Sequence, residues 1–133
     1  MQHGYEIFGT AINCIDGRAQ RPVADWVMAY GQVHYVDMVT EPGADGSLAH
    51  GPSERAQQIR QVVEISVNAH HSHILAIAGH FGCAAYAVSD EAHKHSIRQA
   101  AQVVAGWGLP VRVVGLWVNN WWQVEVIVDI PHP

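Results

Sequence analysis

The residues that could carry chemistry stand in two short segments of this sequence. Residues 14–18 read Cys-Ile-Asp-Gly-Arg, and residues 80–83 read His-Phe-Gly-Cys. Thiolate and imidazole are ligands that zinc prefers, so Cys14, His80 and Cys83 form a candidate zinc site whose fourth position is open to water or a carboxylate. Two thiolates would also neutralise the dication, which lowers the cost of burying it.

Asp16 and Arg18 add acid–base chemistry to this candidate site. Alternation along an extended segment would place both residues on the same side as Cys14. A guanidinium that pairs with Asp16 would keep the carboxylate ionised and able to accept a hydrogen bond from a water on the metal. Zinc lowers the pKa of such a water from about 16 to about 7, which provides hydroxide at neutral pH. Asp16 could instead occupy the fourth metal position itself.

Short apolar runs alternate with longer amphipathic runs along the chain. Strands are predicted at the apolar runs 5–13, 33–39, 74–78, 111–118 and 124–128. Helices are predicted at the amphipathic runs 22–31, 53–70 and 84–105, and a break near Ser89 and Asp90 is an alternative for the third. Segment 41–51 is rich in glycine and polar residues, which predicts a loop.

This alternation predicts one α/β domain over residues 1–133. The sheet is expected to be mainly parallel and four-stranded, in the order 2-1-3-4, with an extra edge strand and helices on both faces. Ligands bind at the carboxyl ends of strands where the strand order reverses, between the first and third strands. Segments 14–18 and 80–83 each follow one of these two strands, so they should meet there. A helix that begins after Cys83 would favour its thiolate.

Composition and charge exclude several classes of protein. The 133 residues are 49% hydrophobic and 14% charged, which is typical of a folded domain. Seven basic against twelve acidic side chains give a net charge of −5, so we expect no nucleic-acid partner. No apolar run approaches the roughly 20 residues of a membrane span, and residues 1–5 lack the pattern of a secretory signal. We therefore expect a cytoplasmic protein, in which cysteines are thiols or metal ligands rather than a disulfide.

Together, the two segments resemble those of β-class carbonic anhydrases. That family carries Cys-x-Asp-x-Arg after its first strand and His-x-x-Cys after its third, and the resemblance covers most of the chain. It implies a zinc enzyme that hydrates carbon dioxide to bicarbonate with a metal-bound hydroxide, usually as a homodimer or higher homo-oligomer. By the same resemblance, Cys14, His80 and Cys83 are the metal ligands, and Asp16 and Arg18 are the catalytic pair that orients the nucleophile.

The sequence departs from the family pattern at three points. Ala84 and Ala85 stand where glycines are usual, segment 40–45 replaces an Arg-Asn-Ala-Gly type segment, and no N-terminal helical arm is expected. Relatives that hydrolyse carbonyl sulfide or carbon disulfide share the same ligands, so these small substrates stay open as alternatives. Two further alternatives also stay open. One is a non-catalytic zinc module in which Asp16 occupies the fourth metal position, and the other is a redox pair of the two cysteines.

The remaining polar and aromatic residues are predicted to lie on the surface or to contact a second subunit. Ten histidines are many for this length, and we expect solvated positions, with a proton shuttle as a minor alternative, for His70, His71, His73, His93 and His95. Glu41 and Asp45 are predicted to be surface acids. The pair Trp121–Trp122 is predicted to be an exposed patch for a second subunit.

Overall fold

The structure of the protein is a computed structural model that describes residues 6–133. The elements in this range are β1 (Phe8–Asn13), α1 (Gly17–Gly31), β2 (Tyr35–Thr40), α2 (Ala44–His50), α3 (Ser53–His70), β3 (Ile74–His80), α4 (Asp90–Ala105), β4 (Arg112–Val118) and β5 (Val124–Ile130). Within the described part of the chain, no helix is long and apolar enough to cross a membrane.

The strands form one sheet in the order β2-β1-β3-β4-β5. The pairs β1–β2, β1–β3 and β3–β4 are parallel, whereas β5 runs antiparallel to β4 at the edge. All residues of β3 are buried, as its continuous apolar run predicts for a central strand. The predicted parallel order 2-1-3-4 with one additional edge strand is confirmed.

Helices cover both faces of the sheet, as predicted. On one face Val23 and Val27 of α1 pack in a cluster with strand residues such as Ala76. On the other face Val63 of α3 and Ala101 of α4 belong to a second cluster, which α2 also joins. Right-handed crossovers require this arrangement, because the chain steps from β1 to β2 in one direction and from β3 to β4 in the other.

The strand order reverses at β1 and β3, and this reversal positions the two segments that carry chemistry. Thr10 pairs with Leu75 and Ile12 pairs with Ile77, so the carboxyl ends of the two strands lie side by side. Cys14 leaves the end of one strand, and His80 is the last residue of the other. The expected meeting of the two segments follows from this register.

Helix α1 begins earlier than predicted, because Asp16 caps it. The Oδ1 atom of Asp16 accepts a hydrogen bond from the backbone N–H of Arg18 at 2.9 Å, which satisfies one of the free donors at a helix start. The helix therefore begins at Gly17, and Pro22 lies inside it rather than in its first turn. The sequence around Cys14 is thus not extended through Arg18, and the alternation argument for that residue was wrong.

Two further predictions about helices were wrong. Segment 41–51 contains the short helix α2, which follows Gly43 in a left-handed conformation with φ of 60°. Residues 84–89 are not helical, because α4 begins at Asp90, where Ser89 accepts a hydrogen bond from Ala92 N–H at 3.1 Å. The other boundaries shift by a few residues, and Tyr5, the predicted start of β1, lies outside the described residues.

Asp45 and His93 form a buried pair between α2 and α4, although both were predicted to be exposed. The Oδ2 atom of Asp45 lies 2.6 Å from Nδ1 of His93, and both side chains are 2% exposed. The carboxylate lies directly against β3, because a Cβ atom built on Gly79 would be 2.6 Å from Asp45 Oδ2. The residue next to His80 must therefore be glycine for this pair to fit.

Replacement of Gly79 by alanine should destabilise the fold by about 1–3 kcal/mol, because the new methyl group collides with a carboxylate that His93 holds in place. Gly17→Ala is the matched control, since a Cβ atom there meets nothing within 4 Å. The free energy of unfolding in urea measures both variants. For Gly17→Ala it should stay unchanged or rise by up to about 1 kcal/mol. Equal stability of the two variants would contradict the steric role of Gly79.

Candidate metal centre

The structure brings the three predicted metal ligands together at the end of the sheet. Cys14, His80 and Cys83 are buried, and one ligand atom from each lies within 4.8 Å of the other two. The two Sγ atoms are 4.0 Å apart. Two thiolates on a tetrahedral zinc ion stand about 3.8 Å apart, because each Zn–S bond is about 2.3 Å long. The spacing of the donor atoms therefore fits zinc.

The imidazole of His80 presents a free nitrogen to this group. Its Nδ1–H donates a hydrogen bond to the carbonyl oxygen of Phe81 at 2.8 Å, which leaves the lone pair on Nε2. Within the described residues, Nε2 is buried and has no hydrogen-bond partner. A buried polar atom without a partner is costly. A metal ion would satisfy it, and the bond to Phe81 fixes the tautomer that a metal ligand requires.

Cys83 receives hydrogen bonds from the backbone instead of a helix N-terminus. Burial raises the pKa of its thiol, whereas the N–H groups of Tyr86 and Ala85 hydrogen-bond to the sulfur and act in the opposite direction. The predicted effect of a helix end was wrong, because α4 begins only at Asp90. Two backbone dipoles in the turn after Cys83 take the place of that helix end.

Tyr86 anchors this turn, although sequence reasoning missed it. The ring of Tyr86 fills the space above Gly46, where an added Cβ atom would lie 2.8 Å from ring carbons. A Cβ atom added at Gly43 would lie 2.9 Å from Cβ of Tyr86. Its hydroxyl lies 2.7 Å from Ser96 Oγ, and its ring packs edge-on against His93 with centroids 5.0 Å apart. The turn that carries Cys83 is therefore fixed to both α2 and α4.

Asn13 holds the other cysteine segment in place. It is fully buried, and its Oδ1 atom accepts a hydrogen bond from the N–H of Cys14 at 2.9 Å. Its Nδ2 group donates to the carbonyl oxygen of Ala19 at 3.1 Å, and the side-chain amide of Gln20 donates to the carbonyl oxygen of Cys14. One buried amide thus ties the end of β1 to the first turn of α1.

Asp16 and Arg18 form a bidentate ion pair at the rim of the site. Nε of Arg18 donates to Oδ1 of Asp16 at 3.0 Å, and a terminal nitrogen donates to Oδ2 at 2.7 Å. The hydrogen bond from Arg18 lowers the pKa of Asp16 from 3.8 to about 2, so the carboxylate is ionised at neutral pH. Among the described residues, the compact group of ligand atoms consists of the two cysteines and His80, and Asp16 stands outside it.

Apolar side chains lie next to site residues, either in sequence or in space. Ile15 is 62% exposed and Phe81 is 41% exposed, and both flank residues of the site. The ring of Trp122 lies 4.7 Å from Cζ of Arg18 and is half-buried. Of the predicted exposed tryptophan pair, only Trp121 is strongly exposed, at 74%. The contact between Trp122 and Arg18 joins residues that are remote in sequence, and no local pattern indicates it.

Comparison with known proteins places this chain in a family. A family model described as "Putative carbonic anhydrase" matches residues 4–128, so the chain belongs to that family. A β-carbonic anhydrase of the filamentous ascomycete Sordaria macrospora, which is tetrameric, has a similar fold with a TM-score of 0.62 at 11% identity, over 96% of this chain and 85% of that chain. No curated protein matches the sequence. The resemblance to β-class carbonic anhydrases is thus confirmed for family and fold.

Replacement of Cys14 by serine should lower zinc affinity by at least about 100-fold, because even groups that only orient a ligand contribute 10–100-fold. Competition with a chromophoric zinc chelator measures this affinity under reducing conditions. His95→Gln is the control, since His95 is exposed on α4 away from the two segments. This variant should bind zinc like the wild type. Equal affinities of Cys14→Ser and His95→Gln would rule out Cys14 as a ligand.

Proposed function

We propose that this protein is a zinc-dependent carbonic anhydrase, which converts carbon dioxide and water to bicarbonate and a proton. The observation that carries this proposal is the buried group of Cys14, His80 and Cys83, in which Nε2 of His80 has no other partner among the described residues. The family and the fold support the same reaction. In this proposal Asp16 and Arg18 are the catalytic pair.

Each residue of the site has a separate task in this reaction. The two thiolates and the imidazole would hold zinc, and zinc supplies Lewis acidity that lowers the pKa of a coordinated water to about 7. The ionised carboxylate of Asp16 would accept a hydrogen bond from the attacking water, which would direct a lone pair of that water towards the carbon of the substrate. Arg18 keeps its charge at any relevant pH and holds Asp16 through two hydrogen bonds.

The apolar rim suits a small, uncharged substrate. Ile15 and Phe81 offer no hydrogen bonds, so a weakly hydrated molecule such as carbon dioxide loses little when it leaves water for this surface. Carbonyl sulfide and carbon disulfide share this property and the same electrophilic carbon. They are therefore the alternative substrates of the same site.

A closed, non-catalytic zinc module is the less favoured candidate. To close the fourth position, Asp16 would have to give up its two side-chain hydrogen bonds with Arg18. It would also have to leave the backbone N–H that it caps at the start of α1. These three bonds support an Asp16 that stays beside the metal position rather than on it.

We also propose that the protein assembles as a homodimer or a higher homo-oligomer. Exposed apolar side chains outside the site, such as Val62 and Ile65 of α3, would be covered by a second copy. The β-carbonic anhydrase of Sordaria macrospora with a similar fold is tetrameric. Sedimentation equilibrium should therefore give a mass of at least twice 14.6 kDa, and a monomer at micromolar concentration would contradict the assembly.

Stopped-flow hydration of carbon dioxide tests the proposed reaction. Zinc-loaded wild-type protein should accelerate hydration, and Asp16→Asn should lower kcat/KM by about 100-fold or more while it still binds zinc, because a group that directs the attacking water is lost. Arg98→Gln, a change at an exposed residue of α4, should keep wild-type activity. Hydrolysis of carbonyl sulfide and carbon disulfide by the same preparations identifies the preferred substrate. Turnover of the wild type no faster than that of Cys14→Ser would overturn the proposal.

A further inference from the structure

The side chain of Trp122, in the hairpin between β4 and β5, reaches the metal site. Cζ of the Arg18 guanidinium lies over the indole ring, 4.7 Å from the ring centroid. The same indole is 6.4 Å from the imidazole of His80, measured between ring centroids. Trp122 therefore contacts both the ion pair and a predicted metal ligand.

Trp122 lies against the Arg18 guanidinium, and hydrogen bonds hold the guanidinium at its nitrogen atoms. Asp16 accepts from two of its nitrogens, and the carbonyl oxygen of Gly82 accepts from one at 3.3 Å. Hydrogen bonds in the plane of the guanidinium fix its position but leave it free to tilt. An aromatic face stacked on the cation restricts this tilt and attracts the charge.

The backbone of Trp122 is strained, which indicates that the side chain is kept for its contacts. Its φ is +59°, in the left-handed region that bulky residues rarely adopt. Glycine would occupy this position without strain. Strained residues of this kind cluster at functional sites, where the surrounding structure enforces them.

Asn119 enforces this conformation. Its carbonyl oxygen accepts a hydrogen bond from Trp122 N–H at 2.9 Å, and its Oδ1 atom accepts from the N–H groups of Trp121 and Gln123 at 2.9 and 3.1 Å. The neighbouring Trp121 remains 74% exposed. The turn thus directs one tryptophan inward and leaves the adjacent one in solvent.

We propose that Trp122 is a positioning residue for the catalytic pair, which holds the Arg18 guanidinium flat beside the Asp16 carboxylate. The effect of this role on catalysis rests on the proposed function, whereas the contact between Trp122 and Arg18 is independent of that function. Trp122 acts through Arg18, and its loss should therefore change the reactivity of Arg18 without unfolding the protein or removing zinc.

Replacement of Trp122 by glycine removes the indole at a position whose backbone conformation glycine adopts without strain. Zinc-loaded protein is treated with phenylglyoxal, and the modification of each arginine is followed by peptide mass spectrometry. Arg18 should react about threefold faster in Trp122→Gly than in the wild type, the factor that corresponds to an exposed cation–aromatic contact. Arg98, which is exposed on α4, serves as the internal reference and should react at the same rate in both.

Further measurements decide between positioning and a merely structural role. Trp122→Gly should keep the zinc content of the wild type and a cooperative unfolding transition, with a lower Tm because the indole also packs against an apolar cluster of the core, while kcat/KM for hydration falls. Trp122→Phe keeps an aromatic face and should restore slow modification of Arg18, and Trp121→Ala should leave that rate unchanged.

Either of two results would overturn the role of Trp122. One is an unchanged rate at Arg18 in Trp122→Gly, and the other is equally faster modification of both Arg18 and Arg98, which would indicate general loosening. Failure of the wild type to hydrate carbon dioxide would refute the proposed function instead. In that case the ratio of the Arg18 and Arg98 rates still decides whether Trp122 positions Arg18.

Discussion

The parallel register between β1 and β3 is the constraint on which the site depends. Because Ile12 pairs with Ile77, the residues that follow each strand emerge at the same edge and at the same height. Cys14 and His80 are distant in sequence, and no local interaction brings them together. The register is in turn specified by burial, since a slip by one residue would turn the apolar side chains of a fully buried strand towards the wrong layer.

The parts of this molecule that can be predicted from sequence are those that local patterns encode. Continuous apolar runs give the strands, and residue types at the strand ends give Cys14, His80 and Cys83 as a group. The pair Asp45–His93 could not be predicted, because its two partners are 48 residues apart and each is polar. The helix α2, which carries Asp45, was missed together with the pair. A polar residue in a glycine-rich segment indicates a surface loop unless its buried partner is known.

The segment after Cys83 shows how this chain differs from the usual family pattern and still serves the same thiolate. Ala84 and Ala85 stand where glycines are usual in the family. The close approach between the turn after Cys83 and the segment before α2 depends on a glycine of the other segment instead. Gly43 allows it, since a Cβ atom there would lie 2.9 Å from Cβ of Tyr86 and 3.5 Å from that of Ala85. The glycines that allow the close approach, Gly43 and Gly46, lie at the start of α2 and within it, and the ligand turn carries the aromatic anchor Tyr86.

Three segments from different parts of the chain meet at the site, and each is fixed by a polar side chain before any metal binds. Asn13 holds the β1–α1 turn, Tyr86 is anchored to Ser96, and Asn119 shapes the β4–β5 hairpin. The donor atoms are therefore preorganised, and the cost of ordering them is met during folding. Without an ion, burial opposes ionisation of Cys83, and Nε2 of His80 lacks a partner within the described chain. A bound dication would relieve both penalties at once, which supports the proposed metal site.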